Sequence, residues 1–296
     1  MQLVRAAAAA KLNLYLHALG RRPDGYHELD SLVGFASAHD LVEVAPADRF
    51  SLSIQGPFSG PLLFADPAEN LVWRAAHALA EALGRPPHAA VTLTKNLPVA
   101  SGIGGGSADA AAALRALAVL WDLPPDDPRP AAIAPTLGAD VPVCLLSRTS
   151  YFGGAGERVA PAPELPETWL VLVNPGIHVM TRDVFAARTG PWSAAARLER
   201  APDDVADLAR MLAARGNDLQ APALSVAPVI GAALAALDVA PGCLLSRMSG
   251  SGATCFGLFR DADHAVAAAQ LIARVRPDWW VKPAALLADV SGVEIG

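Results

Sequence analysis

The chain has 296 residues, 53% of them hydrophobic, and a formal net charge of −6 at pH 7. That length accommodates one large domain or two smaller ones with a sizeable core. The acidic balance, without any cluster of Lys and Arg, argues against nucleic acid as the main partner, and the longest uncharged run, Leu219 to Leu237, holds Pro222 and Pro228 and reads as loop plus buried helix, not as a membrane span.

The opening "MQLVRAAAAAKLNLYL" looks superficially like a secretion leader. Lys11 interrupts its apolar stretch, however, and no small-residue cleavage site follows before "GRRPDGYH". From Lys11 to His17 the residues alternate. Leu12, Leu14 and Leu16 face one way and Lys11, Asn13, Tyr15 and His17 the other, the pattern of a half-buried strand. "GRRPDGYH" is a turn-rich connection, and "LVEVA" and "FSLSI" are short strands. Asp66 with Glu69, or Asn70, caps a helix that carries Leu71, Ala75, Leu79 and Leu83 and stops at Gly84. "AVTLTK" is a strand that runs into a glycine cluster, Gly102 and Gly104 to Gly106, and a helix starts close to Ser107.

"RPAAIAPTLGADVPVCLL" reads as a short helix ending at Gly138, a loop with Asp140, and a strand. "YFGGAGERVAPAPELPE" has little periodicity and marks a domain boundary near residue 160, dividing the chain into 1–160 and 161–296. Beyond it come a strand at "WLVLVNPG", helices around 181–188, 203–215 and 229–237, a strand–glycine turn–strand at "GCLLSRMSGSGATCFGLF", a helix around 262–275 and a last strand near "WWVKPAAL". Strands and helices mixed in two halves predict an α+β fold. Cys144, Cys243 and Cys255 are odd in number, fit no metal spacing and sit in apolar runs. They predict buried free thiols in a reducing cytoplasm.

The glycine cluster fits neither common phosphate loop. No Lys follows Gly106, as a Walker A loop requires, and the sixth position from Gly102 is Ser107, where a dinucleotide fingerprint needs Gly. The logic of anion binding remains. Small residues let successive backbone N–H groups converge on one ligand, and the helix that follows points its positive end at the same place. Ser107 adds a hydroxyl, and Lys95 lies a few residues before the loop. Lysine is scarce, at positions 11, 95 and 282 against twenty arginines, which singles out Lys11 and Lys95 for tasks that need a compact ammonium.

"P-x-x-x-G-I-G-G-G-S-A-x-A", Pro98 through Ala110, resembles the phosphate loop of the GHMP kinases, and "MSGSGATCFGLF" from Met248 resembles their second glycine turn. "AKLNLYLHALGRRPDGYHELDS", "GADVPVCL", "GGAGERV" and "NPG" are similar to the branch of that superfamily that phosphorylates a diphosphocytidyl methylerythritol, and they span the whole chain in order. Ser107–Ala108 stands where Ser-Ser is commoner, and Ser251 where Thr is usual.

The resemblance implies a two-lobed fold, the first lobe like ribosomal protein S5 domain 2 and the second ferredoxin-like, with the last strand able to return to the first lobe. It implies ATP as phosphoryl donor with Mg²⁺ as its counterion, a small-molecule acceptor carrying a cytidine diphosphate, and neither nucleic acid nor membrane as partner. Lys95, Pro98, Val99, Ala100, Ser101, Gly102, Ile103, Gly104, Gly105, Gly106, Ser107 and Ala108 would hold ATP. No residue stands out as a firm metal ligand.

Asp140 read alone is a capping or surface residue; the resemblance makes it the base that takes the acceptor's proton. Lys11 read alone is a strand edge; the resemblance brings it to Asp140 and the transferred phosphoryl. Tyr26 and His27 would hold the cytosine, Asn13 the erythritol end, and Gly250, Ser251 and Gly252 would close against the first loop. Phe185 is either a second aromatic wall or core packing. The rival readings are another kinase of the superfamily, acting on homoserine, mevalonate or a sugar, and a catalytically dead S5-like binding module.

Overall fold

The computed structural model describes residues 2–296. Eleven strands, β1 to β11, form one sheet among the described residues. Its frame is a long hairpin of β1 (Val4–Arg21) and β2 (His27–Ala45), antiparallel along most of their length. The turn "RPDGY" closes it, with Gly25 at φ +89° and Arg22 N–H donating to the Tyr26 carbonyl at 2.7 Å.

β1 starts well before the alternating stretch, because Ala6 to Ala10 are also strand. Propensity disfavours alanine there, and packing overrides it. The helix α2 (Gly105–Leu120) lies across β1 and β2, and its own buried Ala108 and Ala110 to Ala113 let it approach closely. β3 (Ser51–Gln55) and β4 (Ala90–Thr94) extend this half, β4 pairing with β2; α1 (Leu71–Ala82) packs on α2. Asn70 caps α1 through the Val72 N–H, while Asp66 caps only a short 3₁₀ turn. Val33, Phe35, Leu79, Leu93, Leu114 and Leu117 form its core.

The stretch "VPVCLL" is not a strand. After α3 (Arg129–Leu137) it forms the helix α4 (Val141–Leu146). Pro142 in the first turn presets a helical φ, and Val141, Val143 and Cys144 are buried in the same core as α2. A short apolar run has no period of its own to separate the two readings. The Gly- and Pro-rich segment after it is more regular than its composition predicts. β5 (Ser150–Gly154) pairs with β2, and β6 (Arg158–Pro161) pairs with β5.

The other end of the sheet is β7 (Thr168–Asn174), β8 (Cys243–Met248) and β9 (Cys255–Phe259), with β10 (Trp280–Leu287) paired to β7 along its length and to β2 at Leu286 and Leu287. The helices α5 (Thr181–Ala187), α6 (Val205–Ala213), α7 (Gln220–Val226), α8 (Val229–Asp238) and α9 (Ala262–Val275) complete this half. A second core gathers Val171, Val173, Ile230, Leu237, Phe259 and Ile272. A final short strand, β11 (Val293–Ile295), pairs with β1. No helix among the described residues is long and apolar enough to cross a membrane.

Candidate active site

The β1–β2 ladder shifts register three times; between Ala9 and Lys11 the extra residues lie on β2, and between Asn13 and Tyr15 the extra residue lies on β1. A bulge frees a backbone group and re-aims a side chain. Here the freed donors reach the two glycine turns. Lys11 N–H donates to the Ile103 carbonyl at 2.9 Å, and Asn13 N–H donates to Ser249 Oγ at 3.1 Å. Ser249 Oγ in turn donates to the Gly102 carbonyl at 2.9 Å, and Thr254 N–H donates to the Ser101 carbonyl at 3.0 Å. The two turns are thus fastened to each other and to the strand between them. No methyl group fits in this contact. A Cβ on Gly102, at φ +78°, would lie 2.5 Å from the Ser249 carbonyl oxygen.

A cavity of about 1410 Å³ opens at this junction. Lys11 projects into it, 4% exposed. Its Nζ donates to Asn13 Oδ1 at 2.9 Å and pairs with Asp140 Oδ2 at 2.9 Å. Asp140 sits at the N-cap of α4, but its side chain makes no capping bond, which leaves the carboxylate to Lys11 and the cavity. Asn13 also lines the cavity, yet it is 1% exposed and its Nδ2 donates to Ser31 Oγ at 2.8 Å. Its oxygen holds the Lys11 ammonium while Ser31 fixes the other end of the amide.

The glycine loop forms one wall. Gly104 takes a left-handed φ of +64° as N-cap of α2, with no side-chain cap. The N–H groups of Gly105, Gly106 and Ser107 occupy the first turn, where a helix provides no acceptor. Ala100, Ser101, Gly102 and Val99 also line the cavity, whereas Ile103 and Ala108 turn their side chains into the core.

Across the cavity stand His27 and Phe185, stacked with ring centroids 4.3 Å apart and planes at 20°. Burial lowers the His27 pKa, and Arg21 and Arg188 add to the effect, so the ring is neutral at pH 7. Trp192 closes the group, 5.8 Å from His27, with the Arg188 guanidinium 4.2 Å over its indole. Tyr26 is exposed at the rim. Ser251 Oγ meets Thr181 Oγ1 at 2.9 Å, tying the second glycine turn to the start of α5. Thr181 and Arg188 bound the helix that the sequence predicts around 181–188, but local pattern gives neither of them, nor Trp192, a role at the site.

Lys95 is not in this cavity. Its Nζ binds Asp40 and, at 2.6 Å, Asp109 Oδ2, all three nearly solvent-free. It borders a smaller cavity of about 160 Å³ on the other side of the loop, lined also by Asn70, Leu71, Pro98 and Gly106. Burial alone would lower its pKa, but the two carboxylates outweigh it and hold the ammonium above its ordinary value. Its charge is therefore already matched. Among the described residues no group of three His, Cys, Asp or Glu side chains would cage a metal ion.

Residues 70–148 match the GHMP kinases N terminal domain and residues 194–275 the GHMP kinases C terminal family. The 4-diphosphocytidyl-2-C-methyl-D-erythritol kinase of Paramagnetospirillum magneticum is 52% identical over 281 residues, covering 95% of this chain and 98% of that protein. The enzyme of the same name from Rhodospirillum rubrum is 49% identical, covering 97% and 94%. The crystal structure of a 4-(cytidine 5'-diphospho)-2C-methyl-D-erythritol kinase superposes with a TM-score of 0.77 at 35% identity, over 95% of this chain and 98% of that one. Homoserine kinase from Cytophaga hutchinsonii shares the fold, with a TM-score of 0.74 at 17% identity over 100% and 97% of the two chains.

Proposed function

The chain belongs to the GHMP kinases, and within them to the 4-diphosphocytidyl-2-C-methyl-D-erythritol kinases, and from that premise we propose how its cleft transfers a phosphoryl group. The protein is a small-molecule kinase with ATP as donor. Its acceptor is the C2 hydroxyl of 4-diphosphocytidyl-2-C-methyl-D-erythritol, a step in non-mevalonate isoprenoid precursor synthesis. The observation that carries the residue assignment is the Lys11–Asp140 pair, placed between a glycine loop with free N–H groups and the stacked His27–Phe185 pair.

The donor phosphates lie on the N–H groups of Gly104 to Ser107, where the positive end of α2 favours them. The smaller cavity beside Asn70 and Leu71 is continuous with that loop through Gly105 and Gly106 and receives the base. The cytosine packs on the aromatic group, and a neutral His27 offers one ring nitrogen as donor and the other as acceptor. In this reading the acceptor's hydroxyl reaches Asp140. The carboxylate takes the hydroxyl proton while the oxygen bonds to the γ-phosphorus and the bond to the β-phosphate oxygen breaks, releasing ADP. Lys11 offsets the charge on the transferred group.

Mg²⁺ travels with ATP. A site with so few free carboxylates suits an ion held by phosphate oxygens and water. Residues 1–160 act as the ATP-binding and catalytic lobe, and 161–296 complete the acceptor side. The free thiols of Cys144, Cys243 and Cys255 suit a reducing cytoplasm.

ADP release from ATP with the cytidine compound, homoserine and mevalonate, each assayed separately, tests the reading. Turnover of the cytidine compound alone is the expected result. Turnover of another alcohol without it overturns the assignment.

A further inference from the structure

Directly behind the glycine loop is a buried charge cluster that phosphoryl transfer does not use. Lys95 joins Asp40 on β2 to Asp109 on the second turn of α2, and the three side chains are at most 4% exposed. Asp40 Oδ1 accepts the N–H groups of Asn96 at 2.5 Å and Leu97 at 2.8 Å, so it anchors the chain as it enters the loop. Asp109 Oδ2 accepts from Lys95, but Asp109 Oδ1 is buried and has no partner.

With all three groups ionised, the cluster holds one excess negative charge and one bare anionic oxygen out of water. Neither is tolerated cheaply. The cluster also backs onto the donor site. A Cβ on Gly105 would lie 3.6 Å from Lys95 Nζ and 3.8 Å from Asp40 Oδ2. Gly105 and Gly106 line both cavities. The other ionisable groups nearby are Glu69, which lines the small cavity, Cys144 on α4, and the Lys11–Asp140 pair across the loop. None of them touches Asp109 Oδ1.

We infer that Asp109 is a positioning residue of the donor site that works as a proton holder: its carboxyl carries a proton while a nucleoside triphosphate sits on the glycine loop, and at alkaline pH, where the free protein has lost that proton, binding takes one up. This rests on the donor-site reading above. A polyanion arriving a few ångströms away further disfavours the ionised carboxyl. Burial, the largest cause, and then Asp40 push this carboxyl up, against the pull of Lys95, to about 8. A proton on Oδ1 removes the excess charge and leaves Lys95 bridging Asp40 and Asp109. The loop stays anchored at both ends while it binds phosphate. Donor affinity is then level near pH 7 and weakens as pH rises above ~8, by up to about tenfold per pH unit while one proton is linked to binding.

The test is isothermal titration of the protein with Mg²⁺ and the non-hydrolysable analogue AMP-PNP, from pH 7 to 9.5, in buffers of different ionisation enthalpy. Wild-type protein takes up a fraction of a proton per analogue bound that grows as pH rises above ~8. Asp109→Asn binds with an affinity that does not move with pH and takes up none. Binding by the wild type with the same small proton count as Asp109→Asn overturns the inference and leaves the kinase assignment standing. No analogue binding at any pH, by protein that is folded by circular dichroism, overturns the donor-site reading and the inference with it. Should Asp109→Asn fail to fold, ¹³C NMR of wild-type protein labelled at the aspartate carboxyls reads the same event. An alkaline titration that moves higher on adding the analogue supports the inference, and one that stays in place sinks it.

Discussion

Lys11 Nζ and Asp140 Oδ2 meet at 2.9 Å, one from the first strand just after a register shift against β2 and the other from the N-cap of a six-residue helix. The lysine side chain is 5% exposed and the aspartate 30%, so the ammonium is enclosed by protein while the carboxylate faces the cavity. That asymmetry suits a fixed cation beside a carboxylate that must accept a proton. Asp140→Asn keeps the shape and removes the base. It should lower kcat by about 10²- to 10⁴-fold with little change in the KM for ATP. Near-normal kcat in steady-state assays would refute the base assignment.

Lys11→Met keeps the stem of the side chain and removes its charge. It should lower kcat by about 10²- to 10³-fold. Because Asn13 Oδ1 accepts from the same ammonium, Asn13→Leu should act in the same direction but less strongly. Adding the two losses would overestimate the double variant, since both act through one bond. A double-mutant cycle on kcat/KM checks this; strict additivity would separate Asn13 from Lys11.

The His27–Phe185 stack predicts a split between the two substrates. His27→Ala and Phe185→Ala should each raise the KM for the cytidine substrate by about tenfold or more, the worth of one lost aromatic contact and its hydrogen bonding, and leave the KM for ATP within about twofold. The His27 pKa is already lowered by burial and by Arg21 and Arg188. The neutral ring therefore persists throughout the neutral range, and protonation comes only on acidification below the ordinary histidine value of ~6.5. Cytidine-substrate KM should stay flat from pH 7 upward and rise only on acidification below the ordinary histidine range. A KM that rises toward alkaline pH instead would contradict this role.

Gly102→Ala puts a methyl group 2.5 Å from the Ser249 carbonyl oxygen and 2.6 Å from that of Gly252, at a φ of +78°. Both contacts are backbone, so neither can swing aside. The variant should lose about 2 kcal/mol or more, a fall in Tm of roughly 3 °C or more for a chain of this size, together with most of its activity. Gly106→Ala is the control. Its methyl would meet only the Leu71 side chain, at 3.7 Å, and Gly106 carries no positive φ. Its Tm should change by less than about 1 °C. Equal losses in both variants would show that loop composition matters and the turn-to-turn contact does not.

Much of this protein was written locally. Four glycines before a helix can be read as an anion loop because positive φ and free first-turn N–H groups follow from residue type alone. Asn70 as cap, the helices after residue 180, and the alternation from Lys11 to His17 follow from backbone chemistry and periodicity in the same way. The meeting of Lys11 with Asp140 was reached by resemblance and not by pattern, since nothing local links a strand residue to a cap so far along the chain.

Other features depended on packing. The run Ala6 to Ala10 is strand because an alanine-faced helix lies on it, and "VPVCLL" is helix because Pro142 presets its first turn and its apolar side fits beside α2. The scarcity of lysine marked Lys95 as special but not how. Two aspartates, one on β2 and one on α2, meet its ammonium behind the loop, and pairing at a distance leaves no trace in spacing. Phe185 was open between core and site until α5 set it against His27. Residue type and period determined which segments could bind phosphate or form an element. Register, bulges and the docking of distant elements determined which charges are free to act and which are neutralised, because those depend on separations of a few ångströms that only the folded chain defines.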